Sequence, residues 1–132
     1  MKLRFCAAAL VGALGAAACH GIVSPSNNTT DTFTGPIPVR GSSQLHTFNM
    51  SSLGEYTVTV TAMTPSPPSP GYFTVSLYYG SDCSSVISST YATVGSAAAS
   101  GANQYKGQYC VLISDAGYFV QTETYTLKVS HP

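Results

Sequence analysis

The chain has 132 residues and is formally neutral, with 5 Lys+Arg against 5 Asp+Glu, and charged residues make up only 8% of it. So few cations leave no basic stripe for nucleic acid or for an anionic lipid surface, which excludes both as electrostatic partners. Nine Tyr, five Phe and no Trp, with strong helix formers scarce beyond the N-terminal stretch, point to strands with a polar surface of hydroxyls and amides.

Met1 to Ala18 begins with Lys2 and Arg4, continues as an almost unbroken apolar run from Phe5 to Ala18, and ends in small residues immediately before Cys19. This is the pattern of a secretory signal peptide, residues 1–18. The apolar run is roughly 14 residues, short of the roughly 20 needed to span a bilayer, so it is expected to be removed. The junction Leu14-Gly15-Ala16-Ala17-Ala18-Cys19 resembles the lipobox of bacterial lipoproteins, whose cysteine is diacylated and becomes the new N-terminus. Ala16 stands where that family usually has Leu, so an ordinary Ala-x-Ala cut with free secretion is the alternative.

Cysteine arithmetic favours the lipid. Of the 4 Cys, Cys6 leaves with the signal, Cys83 and Cys110 can pair in an oxidising compartment, and Cys19 is left over. A thioether to lipid accounts for it, and acyl chains add about 0.8 kcal/mol of anchoring per buried methylene. The expected location is the cell envelope, with the membrane as partner through the lipid anchor. About 114 residues then remain, the size of one domain. Arg40, Lys106 and Lys128 stand against Asp31, Glu55, Asp82, Asp115 and Glu123, three cations against five carboxylates, or about −2.

Residues 19–31 lack any hydrophobic period and read as the anchor cysteine followed by a flexible tether. The Asn-x-Ser/Thr triplets at Asn27, Asn28 and Asn49 are taken as chance matches in a bacterial chain. From Thr32 onward, short runs of period two alternate with Gly, Pro and Ser. Strands are predicted over Leu45 to Met50, Tyr56 to Ala62, Phe73 to Tyr79, Gln108 to Ser114 and Thr124 to Val129, with a weaker one near Ser89 to Val94. In the clearest, Tyr56, Val58, Val60 and Ala62 face one way and three threonines the other. Thr64 to Gly71, with four prolines, must be a surface loop. Gly80-Ser81-Asp82 and Asp115-Ala116-Gly117 read as turns, and Ser96 to Gly101 as a strand edge or loop. Short strands at roughly ten-residue spacing, with no helix to serve as a crossover, predict an all-β fold: an antiparallel, jelly-roll-like β-sandwich over residues 32–132.

Pairing Cys83 with Cys110 closes a loop of about 27 residues and removes roughly 3 kcal/mol of unfolded-chain freedom. A metal site would need more soft ligands, and His20, His46 and His131 have no ligand spacing to either cysteine, so neither metal nor cofactor is expected.

The strand succession resembles the bacterial pre-peptidase C-terminal domain, a small β-sandwich of secreted and envelope proteins. Gln44 to Met50 leads into Leu53-Gly54-Glu55-Tyr56-Thr57-Val58-Thr59-Val60, like that family's Phe-bearing strand followed by "gly-x-leu/tyr-thr-val". Val75-Ser76-Leu77-Tyr78-Tyr79-Gly80 looks like its "leu-tyr-leu" strand, Gly107 to Asp115 like its "gly-x-tyr-tyr-val-x-val" strand, and Tyr125 to Val129 like its closing strand. The likeness spans residues 32–130 and implies a non-catalytic sandwich. Where calcium-binding relatives carry "gly-asp-x-asp", this chain has the proline-rich loop, so the resemblance brings no calcium site, and Asp82 and Asp115 are the only acidic residues in strand-end turns.

Catalysis needs a nucleophile, a base and an orienting group. His46 is read as the only histidine inside the folded region, where a surface or satisfied histidine is expected rather than a catalytic base, and no Gly-x-Ser-x-Gly occurs. The chain is therefore read as a non-enzyme with a structural or interaction role at the envelope. The alternative is a carbohydrate- or protein-binding module, because Tyr72, Tyr78, Tyr105 and Tyr118 fall on outward phases or in loops and could stack on a sugar or a protein partner. Covering the sheet is the favoured role for these four.

Overall fold

The computed structural model describes residues 27–132; the predicted signal peptide, Cys19 and most of the predicted tether lie outside the described residues. The eight strands are β1 (Thr29–Ile37), β2 (His46–Met50), β3 (Glu55–Thr64), β4 (Phe73–Tyr79), β5 (Ser85–Ala92), β6 (Ala97–Ala102), β7 (Gly107–Asp115) and β8 (Glu123–His131). They form two four-stranded antiparallel sheets in the orders β1-β8-β3-β6 and β2-β7-β4-β5.

The pairing is nested about the middle of the chain: β4 with β5, β3 with β6, β2 with β7 and β1 with β8. A long antiparallel hairpin rolled into two facing sheets has this topology, that of a jelly roll. The predicted antiparallel β-sandwich is thus the observed fold.

Alternation decides which face each strand buries. Tyr125, Leu127 and Val129 of β8 point inward with Val58 and Val60 of β3, and meet Phe73, Val75 and Leu77 of β4 and Val111 and Ile113 of β7 from the other sheet. Each such side chain contributes roughly 1.5–3 kcal/mol by leaving water. Ala62 departs from the expected inward phase: the β3–β8 register shifts between Val60 and Ala62, so Ala62 is exposed and Met63 takes the buried place. A bulge adds one residue and inverts the phase beyond it.

β1 begins at Thr29, inside the stretch read as tether. Its composition, Thr-Thr-Asp-Thr-Phe-Thr-Gly-Pro-Ile, hides the strand, because an edge strand with one buried face needs few apolar residues. Phe33 and Ile37 supply the inward contacts, while Asp31 Oδ2 lies 3.1 Å from His131 Nε2 at the end of β8. His131 is thereby a buried strand residue and not a loose terminus.

Ser96 to Gly101 is mostly strand, forming edge strand β6. The predicted disulfide is present: Cys83 and Cys110 are bonded, with Cα atoms 5.8 Å apart across a separation of 27 residues. It straps the β4–β5 turn onto β7. Gly80 N–H donates to Gln108 O at 3.0 Å beside it.

Candidate functional site

One end of the sandwich gathers the β3–β4, β5–β6 and β7–β8 connections, and two of the four predicted tyrosines meet there. Tyr72 precedes β4, and Tyr118 lies in the β7–β8 loop, their ring centroids 6.1 Å apart and inclined at 60°. Both are 41% exposed. Tyr91 of β5 completes a shallow, open depression of about 330 Å³ walled by the three rings. Sequence reading passed over Tyr91 because β5 is the strand with the weakest apolar alternation; its outward phase follows from its pairing with Thr74 across the ladder, which only the structure gives.

Local sequence places each ring. Asp115 ends β7, and its Oδ1 accepts backbone N–H bonds from Gly117 at 2.7 Å, Tyr118 at 2.9 Å and Phe119 at 3.1 Å, while Oδ2 accepts that of Arg40 at 2.7 Å. Burial pushes this carboxyl up, but the four donors outweigh it and hold the group below its ordinary range. Gly117 supplies the left-handed φ of 94° that the turn demands. Phe119 then plugs into the core, which leaves Tyr118 directed outward. On the other side, Gly71 N–H donates to Pro68 O at 2.7 Å, closing the proline-rich loop just before Tyr72. One platform loop is therefore held by the Asp115 carboxylate and the other by a backbone bond.

The other two predicted tyrosines do not join them. Tyr105 is exposed at the opposite end, where its ring centroid lies 5.3 Å from that of Tyr79, and its carbonyl accepts the Tyr109 hydroxyl at 2.8 Å. It borders a separate cleft of about 280 Å³ between the starts of β5 and β7 and the end of β6, with Tyr56, Tyr109 and Gln104 on its walls. Asn103 locks that end: its Oδ1 accepts from Gly54 N–H at 2.7 Å and its Nδ2 donates to Ser52 O and Tyr105 O. Tyr78 is half-buried beside the disulfide, paired across the ladder with Cys110.

His46 is buried, stacked on Phe33 at 4.5 Å between centroids and hydrogen-bonded through Nε2 to the Tyr125 hydroxyl. Burial lowers its pKa by disfavouring the charged ring. Of the two roles expected for it, surface or satisfied, the buried hydrogen-bonded one is observed. Asp82 is fully exposed and accepts from the Ser84 hydroxyl at 2.9 Å; that hydroxyl and the Ser84 backbone N–H hold its carboxyl below the ordinary value. Among the described residues no three His, Cys, Asp or Glu side chains converge as a metal would require.

No protein-family model matches the chain, and no curated protein matches it either. Its functional reading therefore rests on its own geometry.

Proposed function

We propose that this chain is a non-catalytic binding module of the cell envelope, related in plan to the pre-peptidase C-terminal sandwich and anchored through lipidated Cys19, with Tyr72, Tyr91 and Tyr118 as its ligand platform. The convergence of three exposed tyrosines on one depression carries this reading. Exposed aromatic rings gathered into one patch mark a binding surface where scattered ones do not, and phenol rings pair an apolar face with a hydroxyl at the rim. That combination suits a neutral, hydroxyl-rich ligand such as a polysaccharide. No charged side chain lines the depression, so neither an anionic nor a cationic ligand gains a partner there.

The expected result is that the exported protein is retained on insoluble envelope polysaccharide, and that Tyr91→Ala and Tyr118→Ala each weaken retention by about tenfold, equivalent to roughly 1.4 kcal/mol per stacked ring. Tyr78→Ala, which alters a tyrosine outside the depression, should bind as the wild type does. Retention indifferent to Tyr91→Ala and Tyr118→Ala would overturn the platform.

The anchor has its own test. Cys19→Ser should move the protein from the membrane to the soluble fraction, and metabolic palmitate should label only the wild type. An unlabelled wild type would favour the Ala16-Ala17-Ala18 cut and free secretion. Among the described residues no helix is long and apolar enough to cross a membrane.

A further inference from the structure

The cleft at the Tyr105 end of the sandwich holds polar groups that the fold itself does not use. Tyr56 is only 8% exposed, yet its hydroxyl has no hydrogen-bond partner among the described residues and is not sealed from the cleft that the side chain lines. A phenol so deeply buried ordinarily finds a partner for its O–H. Tyr109, on the same wall, donates its hydroxyl proton to Tyr105 O at 2.8 Å. Asn103 commits its two amide N–H bonds to Ser52 O at 3.0 Å and Tyr105 O at 2.9 Å, so the Tyr109 oxygen receives no donor among the described residues. Burial raises the pKa of both phenols from an already high ordinary value, so both remain neutral. The cleft thus presents one donor, from Tyr56, and one acceptor, from Tyr109.

The remaining walls are apolar. Val86 and Ile87 come from the start of β5 and Ala102 from the end of β6, and no charged side chain lines the cleft. A methyl-bearing secondary amide matches this set group for group. Its carbonyl accepts from Tyr56 O–H, its N–H donates to Tyr109 Oη, and its methyl lies against Val86, Ile87 and Ala102. A lone hydroxyl would leave those walls wet, and a carboxylate or ammonium would be desolvated without a counter-charge. The rim selects a sugar as the carrier of the amide: the exposed Tyr105 ring offers a face to a pyranose, and Gln104 offers both a donor and an acceptor to its hydroxyls. At about 280 Å³ the cleft lies at the lower end of the roughly 300–1,000 Å³ of ligand pockets, room for one sugar unit and not for a running chain.

We infer that this cleft is a second binding site, which takes a single N-acetylated amino-sugar unit with its acetamido group turned inward onto Tyr56 and Tyr109. It is independent of the tyrosine depression at the other end of the sandwich, and either site stands if the other fails.

Titration of the exported chain carrying Cys19→Ser with N-acetylglucosamine, followed through its backbone amide NMR signals, tests the site. Saturable shifts are expected at Ala102, Asn103 and Tyr105, and none at Tyr72, Tyr91 or Tyr118. Glucose, which lacks the acetamido group, should bind at least about tenfold more weakly. Tyr56→Phe removes only the unpartnered hydroxyl; it should weaken binding by about fivefold with the melting temperature unchanged. Ala102→Phe, which fills the cleft from the exposed end of β6, should abolish binding and keeps the test decisive if loss of the Tyr56 hydroxyl perturbs β3. Tyr91→Ala should bind as the wild type does. No saturation at about 50 mM sugar, equal affinity for glucose, or undiminished binding by Tyr56→Phe or Ala102→Phe would overturn the site. Shifts confined to Tyr72, Tyr91 and Tyr118 would overturn it and leave the depression standing. N-acetylalanine methylamide bound as tightly as the sugar would overturn the choice of a sugar.

Discussion

Reduction of the Cys83–Cys110 bond is expected to lower the melting temperature of the domain by roughly 10–15 °C, the largest single loss predicted for this chain. The bond closes a separation of 27 residues, and cutting it returns about 3 kcal/mol of chain freedom to the unfolded state. That is a large fraction of what a domain of this size has in reserve. The contribution is tertiary as well as entropic. Cys110 is fully buried, and its partner holds the β4–β5 turn against β7.

Cys83 itself sits at a φ of 55°, a conformation that costs a non-glycine residue roughly 1–2 kcal/mol. A Cys83→Gly, Cys110→Ala variant should therefore melt a few degrees above a Cys83→Ser, Cys110→Ala variant, and both well below the oxidised wild type. Calorimetry of the three proteins decides it. Equal melting temperatures for oxidised and reduced wild type would show that the bond adds nothing to stability.

Replacing Glu123 should have the opposite sign. Glu123 begins β8, is sealed from solvent although shallow at the end of the sandwich, and neither carboxyl oxygen has a hydrogen-bond partner among the described residues. It faces the interior in phase with Tyr125, across the ladder from Ile37. Desolvation raises its pKa above the ordinary carboxylate value. The folded state thus prefers the protonated acid. Its stability is greatest below the unfolded-state value near 4.3, and it falls as pH rises through the raised folded-state value, where an unpaired charge must be buried or expelled. Glu123→Met preserves the unbranched shape and removes the charge. It should stabilise the domain by about 1–3 kcal/mol at pH 8, and by much less at pH 4. Denaturant titration of both proteins at the two pH values isolates this group, because every other carboxylate titrates alike in each. A difference between variant and wild type that stays constant with pH would refute the assignment of a destabilising buried carboxylate.

Both predictions show where sequence reasoning had purchase. The disulfide was legible because Cys83 and Cys110 are the only cysteines in the folded region, and pairing between them needs no knowledge of geometry. The central strands were legible because burial of one sheet face imposes a period of two on Tyr56, Val58 and Val60, on Phe73, Val75 and Leu77, and on Tyr125, Leu127 and Val129. Short strands at roughly ten-residue spacing without a crossover helix then pointed to an antiparallel sandwich, and the nested pairing came from the structure.

What the sequence by itself could not determine depends on which residues meet across elements. β1 escaped notice because an edge strand is stabilised by its ladder to β8, and its own composition carries little of that energy. Ala62 was assigned to the core because period two has no way to announce an inserted residue; the register against β8 moved it outside. Tyr72 and Tyr118 share a surface with Tyr91, while Tyr105 stands at the other end, because loops distant in sequence fold to the same or opposite ends of the sandwich. Glu123 counted in the sequence only as one of five carboxylates, and its inward phase at the start of β8 buries it. Local chemistry sets the period and the turns of a chain; which side chains are brought together is decided by strand register, a property of pairs of segments that no single segment contains.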